Sequence, residues 1–190
     1  MSRASTMMLP ATLILALVPV VVSLRDPSSV CLPDKWQTIF YDIQTADFGV
    51  TGLDFSRRLV AQLWQSRNFK IVYNLTERVG YNIQIPNDNC IKFKMNDSQV
   101  YEQCLPKDAR LFSPNNSYIG YGLTSLDMDV WEVDLPGGDL TRVAFTTSSP
   151  AVPVMSQLFE AGKETQSFLY FNSAESVDPV LFDIPPSCPH

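Results

Sequence analysis

The sequence predicts a mainly β, antiparallel protein with few short helices, and three observations carry that prediction. Short runs rich in Val, Ile, Phe, Tyr and Thr recur from Trp36 to Asn172. Clusters of Asn, Asp, Gly and Pro separate them. No long segment repeats its apolar residues every 3.6 positions, so long amphipathic helices are not expected, and no internal repeat or low-complexity tract stands out.

Residues 1–23 read as a secretory signal peptide. Arg3 precedes an uncharged stretch from Met7 to Leu24, and Val21 and Ser23 suit the positions a signal peptidase selects, which puts cleavage after Ser23. The stretch also approaches the roughly 17–25 residues that span a bilayer as a helix. Pro10 and Pro19 argue against an uncleaved anchor. No later run is apolar for long enough to span, so stable membrane insertion is not expected. Residues 24–190 then make one domain, large enough for a real core.

The expected strands are, in order, 36–43, 50–55, 59–64, 69–75, 79–85, 130–135, 141–147, 154–159 and 167–172. Asp54-Phe-Ser-Arg and Leu75-Thr-Glu-Arg read as hairpin turns, and Leu135-Pro-Gly-Gly-Asp is a stronger turn signal. Strand residues alternate faces. Asn74 opens the sequon Asn74-Leu-Thr and must face solvent to carry sugar. Lys70 and Val72 would then share its outer face, while Phe69, Ile71, Tyr73 and Leu75 point inward. The next run alternates Val79, Tyr81, Ile83 and Ile85 against Gly80, Asn82 and Gln84. Pairing the two runs would place Tyr73 and Tyr81 on one wide apolar face. That face is either ordinary core or the wall of a ligand cavity, and periodicity does not separate the two.

Cys31, Cys90, Cys104 and Cys188 all follow the leader. An even count in a secreted chain implies two disulfides, with three pairings open. No CxxC occurs and His190 is the only histidine, which disfavours zinc and leaves a Ser–His–Asp or Cys–His arrangement without a base. Further sequons at Asn96 and Asn115 fit an extracellular glycoprotein. No GxSxG, HExxH or phosphate-binding glycine loop is present, and no enzyme activity is expected. The net charge of −6 disfavours nucleic acid and anionic membranes as partners. The densest acidic stretch holds Asp127, Asp129, Glu132, Asp134 and Asp139. It does not fit an EF-hand: Trp131 takes a ligand position, Glu132 the glycine position and Gly138 the bidentate glutamate position. It reads as an acidic solvated hairpin, with calcium on scattered carboxylates the competing reading and no metal ligands assigned.

The cysteines and their neighbours, taken in order, carry a resemblance. They are CLPDKW from Cys31 to Trp36, NCIKF around Cys90, EQCLPKDARLF around Cys104, WEVD, AVPV from Ala151 to Val154, and the tail DPVLFDIPPSC ending at Cys188. This ordered set resembles the ependymin-related family of secreted glycoproteins over nearly the whole mature chain. The resemblance implies two packed, curved antiparallel sheets around a deep apolar pocket, akin to bacterial lipoprotein carriers. It also implies a bound lipid or other apolar small molecule, association with calcium, homodimers in some members, a role in extracellular matrix or cell-matrix adhesion, and a lysosomal link. A structural or adhesive matrix glycoprotein without a small-molecule ligand is the alternative.

By the same resemblance, Cys90 matches the family cysteine that bonds the PPSC tail, so Cys188 pairs with Cys90. Many relatives carry a cysteine where this chain has Pro150-Ala151-Val152-Pro153-Val154. The usual partner of Cys31 is therefore missing, which leaves Cys31 with Cys104. The pocket candidates that follow are Trp64, Phe69, Ile71, Tyr73, Tyr81 and Ile83.

Overall fold

The computed structural model describes residues 25–96, 101–112 and 117–189. The expected signal peptide and the Asn115 sequon lie outside these residues. The strands are β1 (Lys35–Asp42), β2 (Asp47–Asp54), β3 (Leu59–Trp64), β4 (Phe69–Asn74), β5 (Val79–Gln84), β6 (Asn89–Lys94), β7 (Arg110–Leu111), β8 (Ser117–Ile119), β9 (Leu126–Asp134), β10 (Leu140–Thr146), β11 (Pro153–Glu160) and β12 (Lys163–Ala174). All pairings are antiparallel, in the order β6-β5-β4-β3-β2-β1-β12-β11-β10-β9-β7, with β8 also on β9. The fold is therefore mainly β. Its two expected walls are the two halves of one curved ladder, joined where β1 pairs with β12.

The first half is a meander with a rhythm that amino-acid identity hides. Four-residue turns at 43–46, 55–58, 65–68, 75–78 and 85–88 link β1 to β6, and from β3 onward each strand has six residues. The last residue of each turn, Ala46, Arg58, Asn68, Arg78 or Asp88, has φ between 49° and 55°. Three turns are held by an Asx side chain at the end of the preceding strand. Asp42 Oδ1 accepts from the Gln44 and Thr45 amides. Asp54 Oδ1 accepts from Ser56 Oγ and the Arg57 amide. Asn74 Oδ1 accepts from the Thr76 and Glu77 amides. Only a few corresponding turn positions carry the same residue, among them Ser56 and Ser66, Arg57 and Arg67, and Arg58 and Arg78, too few to mark a repeat in the sequence. β6 was missed as a strand because its pattern, half exposed with Lys92 and Lys94 outward, is that of an edge.

The register corrects the expected face assignment. With four residues in the turn, Asn74 pairs with Val79, Tyr73 with Gly80 and Val72 with Tyr81. Direct partners share a face. Tyr73 therefore lies on the face opposite Tyr81, and Ile71 on the face opposite Ile83. Gly80 is where it is because the Phe93 ring lies over it: a Cβ there would come within 2.3 Å of that ring.

The outer face of β2–β5 is not open to solvent. The C-terminal tail crosses it, placing Leu181, Phe182 and Cys188 on Ala61, Val72, Tyr81 and Ile83, with Val177 and Cys90 alongside. Polar contacts fix the tail's path. Lys70 Nζ donates to the Asp183 carbonyl at 2.7 Å, Ser187 Oγ to the Asp88 carbonyl at 2.7 Å, and the Asp178 amide to Gln37 Oε1 at 2.8 Å. The Cys90–Cys188 disulfide ties down its end.

A second disulfide, Cys31–Cys104, staples the lead-in to the segment after the meander, so both pairs are those the resemblance implies. Backbone bonds from Leu32 to Gln103 and from Leu105 to Val30 flank it. Val30, Leu32, Leu105 and Ala109 then pack on Trp131, Phe145 and Ala151.

Candidate functional site

The inner face bounds a cavity. One part, about 280 Å³, lies between Trp36, Phe40, Thr51 and Leu53 of the first half and Val143, Phe145, Phe168 and Tyr170 of the second. A second part of about 530 Å³ is walled by Trp64, Phe69, Ile71 and Tyr73 against Thr141, Leu158 and Phe168. The two parts share Gln62, Tyr101, Thr141 and Phe168, so they adjoin. Of the residues lining this second part, Leu135, Asp139 and Glu160 lie at the end of the ladder away from the Cys31–Cys104 staple.

Four pocket candidates, Trp64, Phe69, Ile71 and Tyr73, line this cavity. Tyr81 and Ile83 do not: they are buried under the tail on the opposite face. The facing wall from β10 to β12 was unassigned in the sequence, because its inward residues include polar Thr141, Ser156 and Gln166 and show no apolar alternation. Their register across β10–β12 is what places them inward.

Aromatic edge-to-face contacts stiffen the wall. Phe40 and Trp64 meet at 4.7 Å between centroids, Phe40 and Phe168 at 5.7 Å, and Trp64 stacks on Phe69 at 6.0 Å. Arg67 lies over the Trp64 ring at 4.8 Å, and its Nε is 3.0 Å from Asp47 Oδ2. Burial opposes the charge on Asp47, but hydrogen bonds from Ser66 and the Phe48 amide, with Arg67 beside it, hold its carboxyl below the ordinary value. Asp54 follows the same pattern: burial opposes ionisation, and Ser56, the Arg57 amide, Lys35 and Arg57 outweigh it.

Inside, hydroxyls pair with one another. Tyr170 and Ser156 are 2.8 Å apart, and Tyr73 bonds Tyr101. Burial pushes the phenols of Tyr73, Tyr170 and above all Tyr101 above their ordinary value. The Trp36 and Trp64 indole N–H groups are buried and have no acceptor among the described residues. An indole is a donor only, so each is a buried hydrogen-bonding group left unsatisfied.

Three carboxylates of the acidic stretch are paired with arginines. Asp129 pairs with Arg25 at 2.9 Å, Glu132 with Arg142 at 2.9 Å and Asp134 with Arg110 at 2.6 Å. Three of its carboxylates are thus matched to arginines along β9. Among the described residues, no group of three or more Asp, Glu, His or Cys converges as metal ligands do. Asn74 is half-buried at its turn and Asn96 is exposed.

No helix among the described residues is long and apolar enough to cross a membrane. Two disulfides fit a chain that matures in an oxidising compartment. No family model matches the chain, and no curated protein matches it. Among solved structures it is similar to an uncharacterized conserved protein from Thermus thermophilus. That likeness has a TM-score of 0.53 at 12% identity and covers 82% of this chain and 88% of that one. At that identity the likeness concerns the fold alone: a curved β-sheet of this kind occurs in a protein whose own role is not described.

Proposed function

We propose that this chain is a secreted glycoprotein that holds a lipid or another apolar small molecule between the two halves of its sheet. One observation carries the reading: two adjoining cavities with aromatic residues from both halves of the sheet in their walls. A packed core would have closed over this space, since interiors reach crystal-like density. The ependymin-like motifs agree with such a cargo, and they extend the proposal to weak calcium association and cell-matrix contact. Native mass spectrometry of protein purified from secreting cells tests the reading. A co-purified small molecule, lost on delipidation and replaced by an apolar dye, is expected. Protein that carries nothing and takes up no dye refutes it.

One observation favours the alternative of an adhesive or self-associating glycoprotein. Ile39, Phe48 and Phe171 are exposed on the outer face of β1, β2 and β12, beyond the reach of the tail. Light scattering across a concentration series, with Phe48→Ser as the control, tests it.

A further inference from the structure

The polar side chains inside the cavity narrow the class of guest. Most of them are already spent. Thr51 Oγ1 donates to the Ala61 carbonyl at 3.2 Å, Thr141 Oγ1 donates to the Gln157 carbonyl at 3.0 Å, and Ser156 pairs with Tyr170. Gln62 is different. It lies mid-strand on β3, lines both parts of the cavity, and with Tyr101, Thr141 and Phe168 marks where they meet. Its register partners do not serve its amide: Ile71 is apolar, and the Thr51 hydroxyl is committed. No hydrogen bond to that amide forms among the described residues. Gln62 is half-buried and its amide is open to the space it lines, unlike the sealed indole nitrogens of Trp36 and Trp64.

On either side of this junction the walls are apolar, with Leu53 and Phe145 in one part and Phe69 and Leu158 in the other. A hydrocarbon chain running through both parts would cover the Gln62 amide and leave it unsatisfied, which weakens binding. A carbonyl oxygen at that point accepts from Gln62 Nε2, an amide donor with two hydrogens. Among the described residues, no lysine or arginine lines either part, so an anionic head group has no cation to meet.

Resting on the cavity reading above, we infer that the guest is an uncharged lipid with a carbonyl in the middle of its length, an ester joining two hydrocarbon arms, and that Gln62 is the residue that selects it. The ester carbonyl accepts from Gln62 Nε2 where the two parts meet, and one arm occupies each part.

Three probes of identical atomic composition separate the position of the polar group from its amount: hexyl heptanoate, methyl dodecanoate and tridecanoic acid. Each displaces an environment-sensitive apolar dye from the full secreted protein at pH 7, below the probe's own aggregation threshold. The mid-chain ester is expected to bind about tenfold more tightly than the terminal ester, the order of one hydrogen bond kept or lost on burial. The acid should bind more weakly than either. In Gln62→Met, which keeps the side chain's length and removes its donor, the two esters should bind within about twofold of each other while the dye still binds. Should that variant not fold, the carbonyl infrared band of hexyl heptanoate bound to the parent decides: a shift to lower frequency than in alkane supports the inference, and a band at the alkane position overturns it. Esters that bind the parent equally, an acid that binds as tightly as hexyl heptanoate, or a mid-chain preference that survives Gln62→Met overturn the inference and leave the cavity reading standing. Dye and probes that all fail to bind overturn the cavity reading, and this inference with it.

Discussion

Ile71 and Ile83 sit on neighbouring strands and differ in what they face, so the same substitution separates cavity from core. Ile83 is 2% exposed and wedged among Tyr81, Leu181 and the Cys90–Cys188 bridge. Ile71 is half-buried and borders the 530 Å³ cavity. Tryptophan at position 83 overpacks a filled site and should cost about 1–3 kcal/mol. For a chain of this size, each kcal/mol lowers the melting temperature by about 2–4 °C, so a fall of about 2–12 °C is expected. Tryptophan at position 71 enters empty space: melting should move by less than about 2 °C, while an apolar dye that binds the parent is lost. Differential scanning fluorimetry and dye titration on the parent and both variants give the comparison. If Ile71→Trp melts as low as Ile83→Trp and the parent takes up no dye, the space between the walls is closed in solution and the reasoning fails.

The same geometry leads to further expectations. Cys188→Ser frees a tail whose bridge closes 98 residues of sequence separation; it should cost about 2–5 kcal/mol in denaturant melts and expose Cys90 to thiol reagents. Asn74→Ala removes the acceptor of two turn amides, at about 1 kcal/mol for each bond, whereas Asn74→Asp keeps that acceptor and should melt within about 2 °C of the unglycosylated parent. The folded-state carboxyls of Asp47 and Asp54 are held below their unfolded value near 3.9, so their contribution is fully present above about pH 4 and is lost as pH falls through the folded values. Acid titration of Asp47→Asn should show a shallower loss of stability below pH 4. At the alkaline end, Tyr73, Tyr101 and Tyr170 are raised, so their contribution is lost only as pH climbs beyond about 10, and tyrosinate absorbance should still be rising well above that pH.

How far the sequence revealed this molecule can be argued from single residues. Strands such as Leu59–Trp64 were legible in full, because turn residues bracket an apolar run. The Leu135-Pro-Gly-Gly-Asp turn was legible because its glycines adopt positive φ. Register was not legible. Alternation tells which residues of one strand share a face, but only turn length tells which face of the neighbour they join. Four turn residues set Tyr73 against Gly80 and sent Tyr81 to the other side. The solvent expected at the outer face failed for a different reason: nothing local in Lys70 or Val72 announces a tail arriving from more than a hundred residues away. Of the six pocket candidates, Trp64, Phe69, Ile71 and Tyr73 therefore fall on the cavity wall and Tyr81 and Ile83 do not, and the wall from β10 to β12 was hidden by the polar residues among its inward positions.

The continuity of the ladder has a mechanical consequence. Two separate sheets could slide past each other to admit a thicker guest. Two halves of one hydrogen-bonded sheet share every strand between them and have no slip plane, so the space can widen only by bending. Bending should concentrate where the ladder is already irregular, at the register shifts between Gln37 and Ile39, Ala144 and Phe145, and Leu158 and Phe159. Guest girth is then opposed by an elastic restoring force rather than by a rigid wall, and affinity should decline smoothly as a guest thickens instead of stopping at a sharp steric limit.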